Sequence, residues 1–316
     1  MSKRQISLQR ILGPETPKTG LCLVATAKNE AYFWPHFTTH YRNVGITHFI
    51  VLDDGSTDGS LDWLASQPDV SVYRSNLSFA DKLGKLRFGI AARGLLARHF
   101  CADRWALIAD LDEFWRPPPT MRSFSDLVTK LDEKGHHLCR GLMLDCFPET
   151  LAALESLNAD TGPSVAAPYT DDLSPVHWPA NTAHADVNFQ SNVRSRLVRI
   201  LIERGHIPTH WVQSRGNPNL YKAPLARWSG RVHLQTAHRL DGPYHNDHQL
   251  ICEHYKFVPG WESKVAMAIS SGSYCNASIE YRVLELAIRH LYNEDLRSPK
   301  TSLLCSNVGA LNNLWY

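Results

Sequence analysis

"LCLVATAKNEAYFWPHFTTHYRNVGITHFIVLDDGSTDGS", Leu21 to Ser60, reads as strand, helix, strand. Leu21–Ala27 is an unbroken apolar run of strand length, the pattern of a strand covered on both faces. "KNEAYFWPHFTTHYRNVG" is a loop feeding a helix that Gly45 stops. "THFIVL" is a second strand, and it runs into a turn rich in Asp, Gly and Ser.

The alternation continues outward. "LDWLASQP" begins a helix, "VSVYR" is a short strand, and "LGKLRFGIAARGLLARHF" has apolar residues at helical spacing. "RWALIA" is a fourth strand. "SFSDLVTKLDEKG" is a helix capped by Ser123 or Ser125 and ended by Gly135, and "HLCRGLMLDCF" is a further strand. Residues 20–147 therefore predict an α/β fold, a mostly parallel central sheet flanked by helices. Right-handed crossovers place the strand-to-helix turns on one edge, so "AKNE", "DDGSTDG" and "DLDEF" are expected in one crevice.

From about 150 to 235 the pattern gives way to Pro-, Asp- and Asn-rich loops, the expected acceptor-binding or lid region. Within it "VRSRLVRILIE" reads as a strand returning to the sheet. "SIEYRVLELAIRHLYNE" is a helix. The expected organisation is a basic tail over 1–19, one domain over 20–290 with halves 20–147 and 148–290, and a tail over 291–316.

Composition narrows the function. The 316 residues carry 33 basic and 31 acidic side chains, a formal charge of +2, which gives no general field for nucleic acid. Seven cysteines without a CxxC pair read as reduced thiols of a cytoplasmic protein. No apolar run approaches the roughly 20 residues of a membrane span. The first 19 residues lack the apolar core of a signal peptide; their basic groups allow peripheral contact with the inner face of a membrane.

Two acidic stretches call for a chemical explanation. "DDGSTDGSLDWLA" invites a calcium-loop reading from Asp54, but Ala65 stands where that loop requires a bidentate Glu, and a strand precedes it. In "RWALIADLDEFW", Asp110, Asp112 and Glu113 follow a buried strand within four residues. Carboxylates so placed repel one another and lose hydration, so a metal ion, a Lys or Arg, or solvent must compensate. In an extended segment Asp110 and Asp112 share a side and suit Mn²⁺ or Mg²⁺.

Together "ATAKNEAYFWPHFTTHYRNVGITHFIVLDDGSTDGS" and "RWALIADLDEFW" resemble the glycosyltransferase family 2-like group with a GT-A fold, in its DxDE branch. "NPNLYKAPLARW", "TAHRLDG", "CEHYKF" and "YCNASIEY" resemble later blocks of that branch, so the likeness spans about residues 20–285. It implies sugar transfer from a nucleotide-diphosphate donor to a glycan, lipid-linked or protein acceptor in surface glycan or polysaccharide synthesis. By position, Ala25, Thr26, Lys28, Asn29 and Glu30 would line the nucleotide pocket. Asp54, supported by Asp53, would contact base or ribose; Asp110 would meet the ribose. Mn²⁺ or Mg²⁺ would be held by Asp112, with Asp110 and His254 completing its set. Arg194, Arg196 and Lys256 would meet the diphosphate; if 193–203 is a strand, the two arginines share a face.

Inverting transfer needs a base for the acceptor hydroxyl. The family's "ED"-like pair has no counterpart here; Asp145, at a strand end, is the expected base, with Glu149, Asp171, Asp172 and Asp186 as lesser candidates. His254 is the other expected catalytic group. Lys82 and Lys85 read as solvent-facing, His238 has no assigned role, and "HNDH" (His245 to His248) reads as a polar loop. Nucleotidyl transfer to a sugar phosphate and a silent nucleotide-sugar-binding scaffold are the alternatives. Against the first, "ATAKNEAYF" has no glycine for a phosphate loop.

Overall fold

Apolar strands that bury both faces pair in parallel here. In the computed structural model, residues 5–304 are described apart from 180, 181, 183, 184, 210–218, 231, 243, 245–247 and 272–274. In chain order the elements are β1 (Leu8–Leu12), β2 (Cys22–Ala27), α1 (Phe33–Asn43), β3 (His48–Asp53), α2 (Ser60–Ala65) and β4 (Val70–Ser75). A two-residue hairpin, β5 (Lys82–Leu83) and β6 (Leu86–Arg87), leads into α3 (Phe88–Phe100). Next come β7 (Trp105–Ile108), β8 (Glu113–Arg116), α4 (Phe124–Glu133), β9 (Leu138–Cys146), α5 (Pro163–Ala166) and β10 (Tyr169–Asp171). The chain continues through α6 (Val193–Glu203), β11 (Tyr221–Arg227), β12 (Gln249–Tyr255), α7 (Trp261–Ser271), α8 (Cys275–Leu291) and β13 (Thr301–Leu303).

A nine-stranded mixed sheet runs β1-β4-β3-β2-β7-β11-β9-β12-β8, flanked by helices. Its β4-β3-β2-β7 portion is parallel throughout. Chain order moves outward from β2 to β3 and β4, then returns to β2's other side as β7, so the connections reverse between β2 and β7. Two cores follow from the period-two alternation of the strands. Val24, Ile50 and Leu52 pack with Phe88, Ala92 and Leu96 of α3. Phe49 lies against Phe37 of α1, with ring centroids 6.3 Å apart.

The chain divides into two compact units. The first comprises the described residues of Met1–Leu142, Ala180–Ala183 and Tyr221–Cys252; the second, those of Met143–Pro179, His184–Leu220 and Glu253–Tyr316. The second unit's core brings Val193, Leu197 and Leu201 of α6 together with Trp261, Leu284 and Leu291.

Three expectations change. Leu8–Leu12, assigned to a polar tail, pairs antiparallel with β4, because Ile6 and Leu8 alternate onto an apolar core. Residues 193–203, read as a strand, form α6: Val193, Leu197 and Leu201 recur every four residues, and this helical period outweighs the alternation of "VRSR". Within the final tail, Thr301–Leu303 pairs with β10. The expected cap of α4 is Ser123, in a reciprocal capping box with Asp126, and Gly135 follows at φ 67°. Cys22, Cys101, Cys139, Cys146 and Cys252 are buried. Among the described residues no helix is long and apolar enough to cross a membrane.

Candidate functional site

In the first unit the loops after β2 and β3 are laced together. Asn29 takes a left-handed conformation (φ 57°), one that Asn tolerates better than most residues. From there its side-chain oxygen accepts the Thr57 N–H at 2.8 Å, while its own N–H donates to Ser56 Oγ at 2.9 Å. Asp58 accepts the Ala31 N–H at 2.8 Å and caps Ser60. Buried Asp53 accepts the Gly55 and Ser56 N–H groups and pairs with Arg74 at 3.1 Å. Asn29 and Asp53 thus hold the loops in shape.

Asp54 sits at the same edge. Its N–H extends the ladder to the Ala27 carbonyl, and its carboxylate takes Lys28 Nζ at 3.2 Å and the Phe79 N–H at 3.1 Å. Ala25 is fully buried inside the sheet. Glu30 is half-buried, and its carbonyl starts α1 by accepting the Phe33 N–H at 3.0 Å. Lys82 and Lys85 are exposed on their hairpin, as expected.

The acidic motif proves to be a tight turn. Asp110 to Glu113 closes with the Glu113 N–H donating to the Asp110 carbonyl at 3.0 Å, so Asp110 and Asp112 do not alternate as in a strand. Asp110 Oδ1 meets Arg93 Nη2, and Oδ2 meets Lys222 Nζ at 3.2 Å. The Lys222 ammonium also lies 2.8 and 2.7 Å from the two oxygens of Glu113, whose Oε2 further accepts the Asp110 N–H and Trp115 Nε1–H. Arg93 links this turn to β2 through Thr26 Oγ1 at 3.1 Å. Burial alone would raise the Asp110 carboxyl; Arg93 and then Lys222 outweigh it and hold it well below the usual range. Burial likewise opposes the Lys222 charge, yet Asp110 and Glu113 prevail and keep it an ammonium.

Local sequence explains how Lys222 arrives there. β11 reads "YKAPLAR", and Pro224 has no N–H for the ladder. The pairing with β9 shifts register between Lys222 and Leu225, an irregularity of the kind that re-aims a side chain. His238 supports it, its Nδ1 lying 2.9 Å from the Tyr221 carbonyl and its own carbonyl accepting the Ala223 N–H. On β9, Gly141 admits this close packing: a Cβ there would lie 2.4 Å from Trp115 Cζ3.

These contacts test the predicted metal set. Each of the four oxygens of Asp110 and Glu113 already faces a basic side chain, so neither residue fits a metal ion. Asp112 is half-buried in the turn. Among the described residues no group of three His, Cys, Asp or Glu side chains is arranged to hold a metal. His245 and Asp247 lie outside the described residues.

The second unit holds another buried carboxylate. Asp145, at the end of β9, accepts from Asn192 Nδ2 at 2.8 Å and Arg194 Nε at 2.6 Å, and meets His254 Nδ1 at 2.6 Å. Burial would raise its pKa, but Arg194 and His254 drive it far below the usual range. A carboxylate so saturated fixes the three side chains around it. Arg194 turns its Nη1 to Glu280 at 2.9 Å, and its buried Nη2 has no hydrogen-bond partner among the described residues. Lys256 stands 3.9 Å from Glu280 and 5.9 Å from the Tyr281 ring centroid.

Arg196 does not accompany Arg194. Helical spacing sends it to Asp171 at 3.1 Å and to the Ser191 and Leu296 carbonyls, a buried strut already occupied and unsuited to a diphosphate. Of the lesser base candidates, Asp171 is thereby engaged and Glu149 pairs with Arg297 at 2.7 Å. Asp172 accepts the Ser174 N–H, and Asp186 bridges His177 through backbone bonds. Arg93, Lys222, Asn192 and Glu280 were not anticipated. For Lys222 a signal existed: a lone Lys inside an otherwise apolar strand.

Neither the protein-family models nor the curated proteins give a match to this chain.

Proposed function

We propose that the chain transfers a glycosyl group from a nucleotide-diphosphate donor to a hydroxyl acceptor on a GT-A-type sheet. The observation that carries this reading is the reversal of strand order between β2 and β7, with Asp54, Arg93 and Asp110 at the carboxyl ends of the strands around it. Open α/β sheets bind ligands at such a reversal. Arg93 adds a second reason. Its Nη1 is buried without a hydrogen-bond partner among the described residues, a costly state that an anionic ligand would relieve.

In this reading Asp54 meets the ribose or base, while Arg93 and Lys28 supply positive charge for the diphosphate. Asp112 would hold a Mn²⁺ or Mg²⁺ ion, which when bound offsets charge on the departing nucleoside diphosphate. In the second unit Asp145 fixes the His254 ring as a carboxylate does in other oriented histidines. The saturated Asp145 is then an orienting group. Surface glycan or polysaccharide synthesis remains the proposed setting.

A thermal-shift screen of UDP-, GDP- and dTDP-sugars, each with Mn²⁺ or EDTA, tests the donor assignment. A ligand that binds only the native state raises the melting temperature. One nucleotide class should stabilise the wild type, and Asp54→Ala should weaken that effect by about tenfold in apparent affinity, the loss of one charged hydrogen-bond partner. No shift with any donor at millimolar concentration would defeat the reading.

A further inference from the structure

The acidic turn raises a separate question, which does not depend on the reaction catalysed. Three carboxylate oxygens from two residues converge on one point, and that point is occupied by the Lys222 ammonium: 2.7 and 2.8 Å from Glu113 and 3.2 Å from Asp110 Oδ2. The Lys222 side chain is 2% exposed. Hard oxygens gathered in this way are the ligand set of a divalent cation. Arg93 covers the remaining oxygen, Asp110 Oδ1. Two negative groups therefore face two positive ones, with no charge left over for an ion to neutralise.

We propose that Lys222 is a tethered cation, holding between Asp110 and Glu113 the place a divalent ion would otherwise take, so that the turn keeps its shape without metal. The physical basis is exclusion as well as attraction. An entering ion would have to displace a buried ammonium and meet its repulsion in a poorly screened setting. Because Lys222 belongs to β11 and cannot dissociate, the loop carrying Asp112 is preformed at any metal concentration. Lys222 is thus a positioning residue for the turn, and its removal should uncover a metal site that the wild type lacks.

The test uses the full chain without nucleotide. Mn²⁺ is titrated while the free aquo-ion is followed by electron paramagnetic resonance, and melting is recorded in Mn²⁺ and in EDTA. Wild type should melt at the same temperature in both. Lys222→Ala should melt lower in EDTA, recover in Mn²⁺, and bind one more Mn²⁺ than wild type, with at least about tenfold higher affinity, as a freed pair of carboxylates requires. Equal Mn²⁺ binding by wild type and Lys222→Ala, abolished in both by Glu113→Gln, would overturn the assignment, since the carboxylates would then bind metal beside the lysine.

Should Lys222→Ala fail to fold, the double variant Lys222→Met with Glu113→Gln keeps the question open to measurement. It removes a charge from each side, so it should melt above Lys222→Met alone, the coupling expected of a buried pair. A double variant no more stable than that single one would show that Lys222 serves only as packing and would equally overturn the assignment.

Discussion

Asp110 in the first unit and Asp145 in the second are both strand-end carboxylates held ionised against burial, yet their surroundings differ in kind. Asp110 is 29% exposed and belongs to a balanced group in which two carboxylates share Arg93 and Lys222. Asp145 is fully buried and stands alone among three partners, Arg194, His254 and Asn192, with Glu280 taking the outer side of Arg194. What separates them is where unused bonding capacity remains. At Asp110 and at Asp145 the oxygens are filled, so the acids themselves are poor candidates for ligand chemistry. The incomplete groups are the arginines: Arg93 Nη1 and Arg194 Nη2 are each buried without a partner among the described residues. In both places the carboxylate positions an arginine that keeps one unused donor.

The sharpest way to break that view is to remove Asp145. Asp145→Ala leaves Arg194 buried beside an empty acceptor, and breaking a buried pair by deleting one partner costs about 3–5 kcal/mol. Urea unfolding should show a loss of that size; less than about 1 kcal/mol would mean water already solvates the site. The pH dependence supplies an independent check. The folded pKa of Asp145 lies below its unfolded value near 3.9, so its contribution is complete above that pH and fades as pH falls toward the folded value. Asp145→Asn should flatten this acid limb of the stability curve. An unchanged limb would place the depressed carboxyl elsewhere.

Asp110→Asn should cost less, about 2 kcal/mol, the scale of a hydrogen bond to a charged group. Its partners are shared, since Lys222 keeps Glu113 and Arg93 keeps Thr26. The same urea experiment checks it. A loss as large as that of Asp145→Ala would erase the contrast between a balanced cluster and an isolated buried charge.

Sequence reasoning found the acids more readily than their partners, for a physical reason. An apolar run that ends abruptly in carboxylates, as "FIVLDD" and "ALIADLDE" do, marks a strand end by itself. A cation that neutralises them can come from anywhere in the chain, and Lys222 lies 112 residues from Asp110. Arg93 was harder still: on α3 it sits beside apolar Ala92 and within one turn of Leu96, where an arginine ordinarily reads as a stem lying along the core. Sheet, strand ends and the α4 cap were legible because their signals are local. In α6, by contrast, Arg194 and Arg196 alternate as in a strand while Val193, Leu197 and Leu201 repeat as in a helix. Packing of that apolar stripe decides between the two periods.

The smallest expected effect lies at the rim of the Asp145 cluster. Lys256 stands 3.9 Å from Glu280, and it is the main reason that carboxyl is drawn down to about 2, against burial and with help from Arg194. The Glu280 side chain is nonetheless 47% exposed, so water screens the attraction and the shift overstates its worth to the fold. Lys256→Met should therefore change stability by less than about 1 kcal/mol, the range of exposed ion pairs, and the change should shrink further in high salt. A salt-insensitive loss comparable to that of Asp145→Ala would place Lys256 inside the buried network.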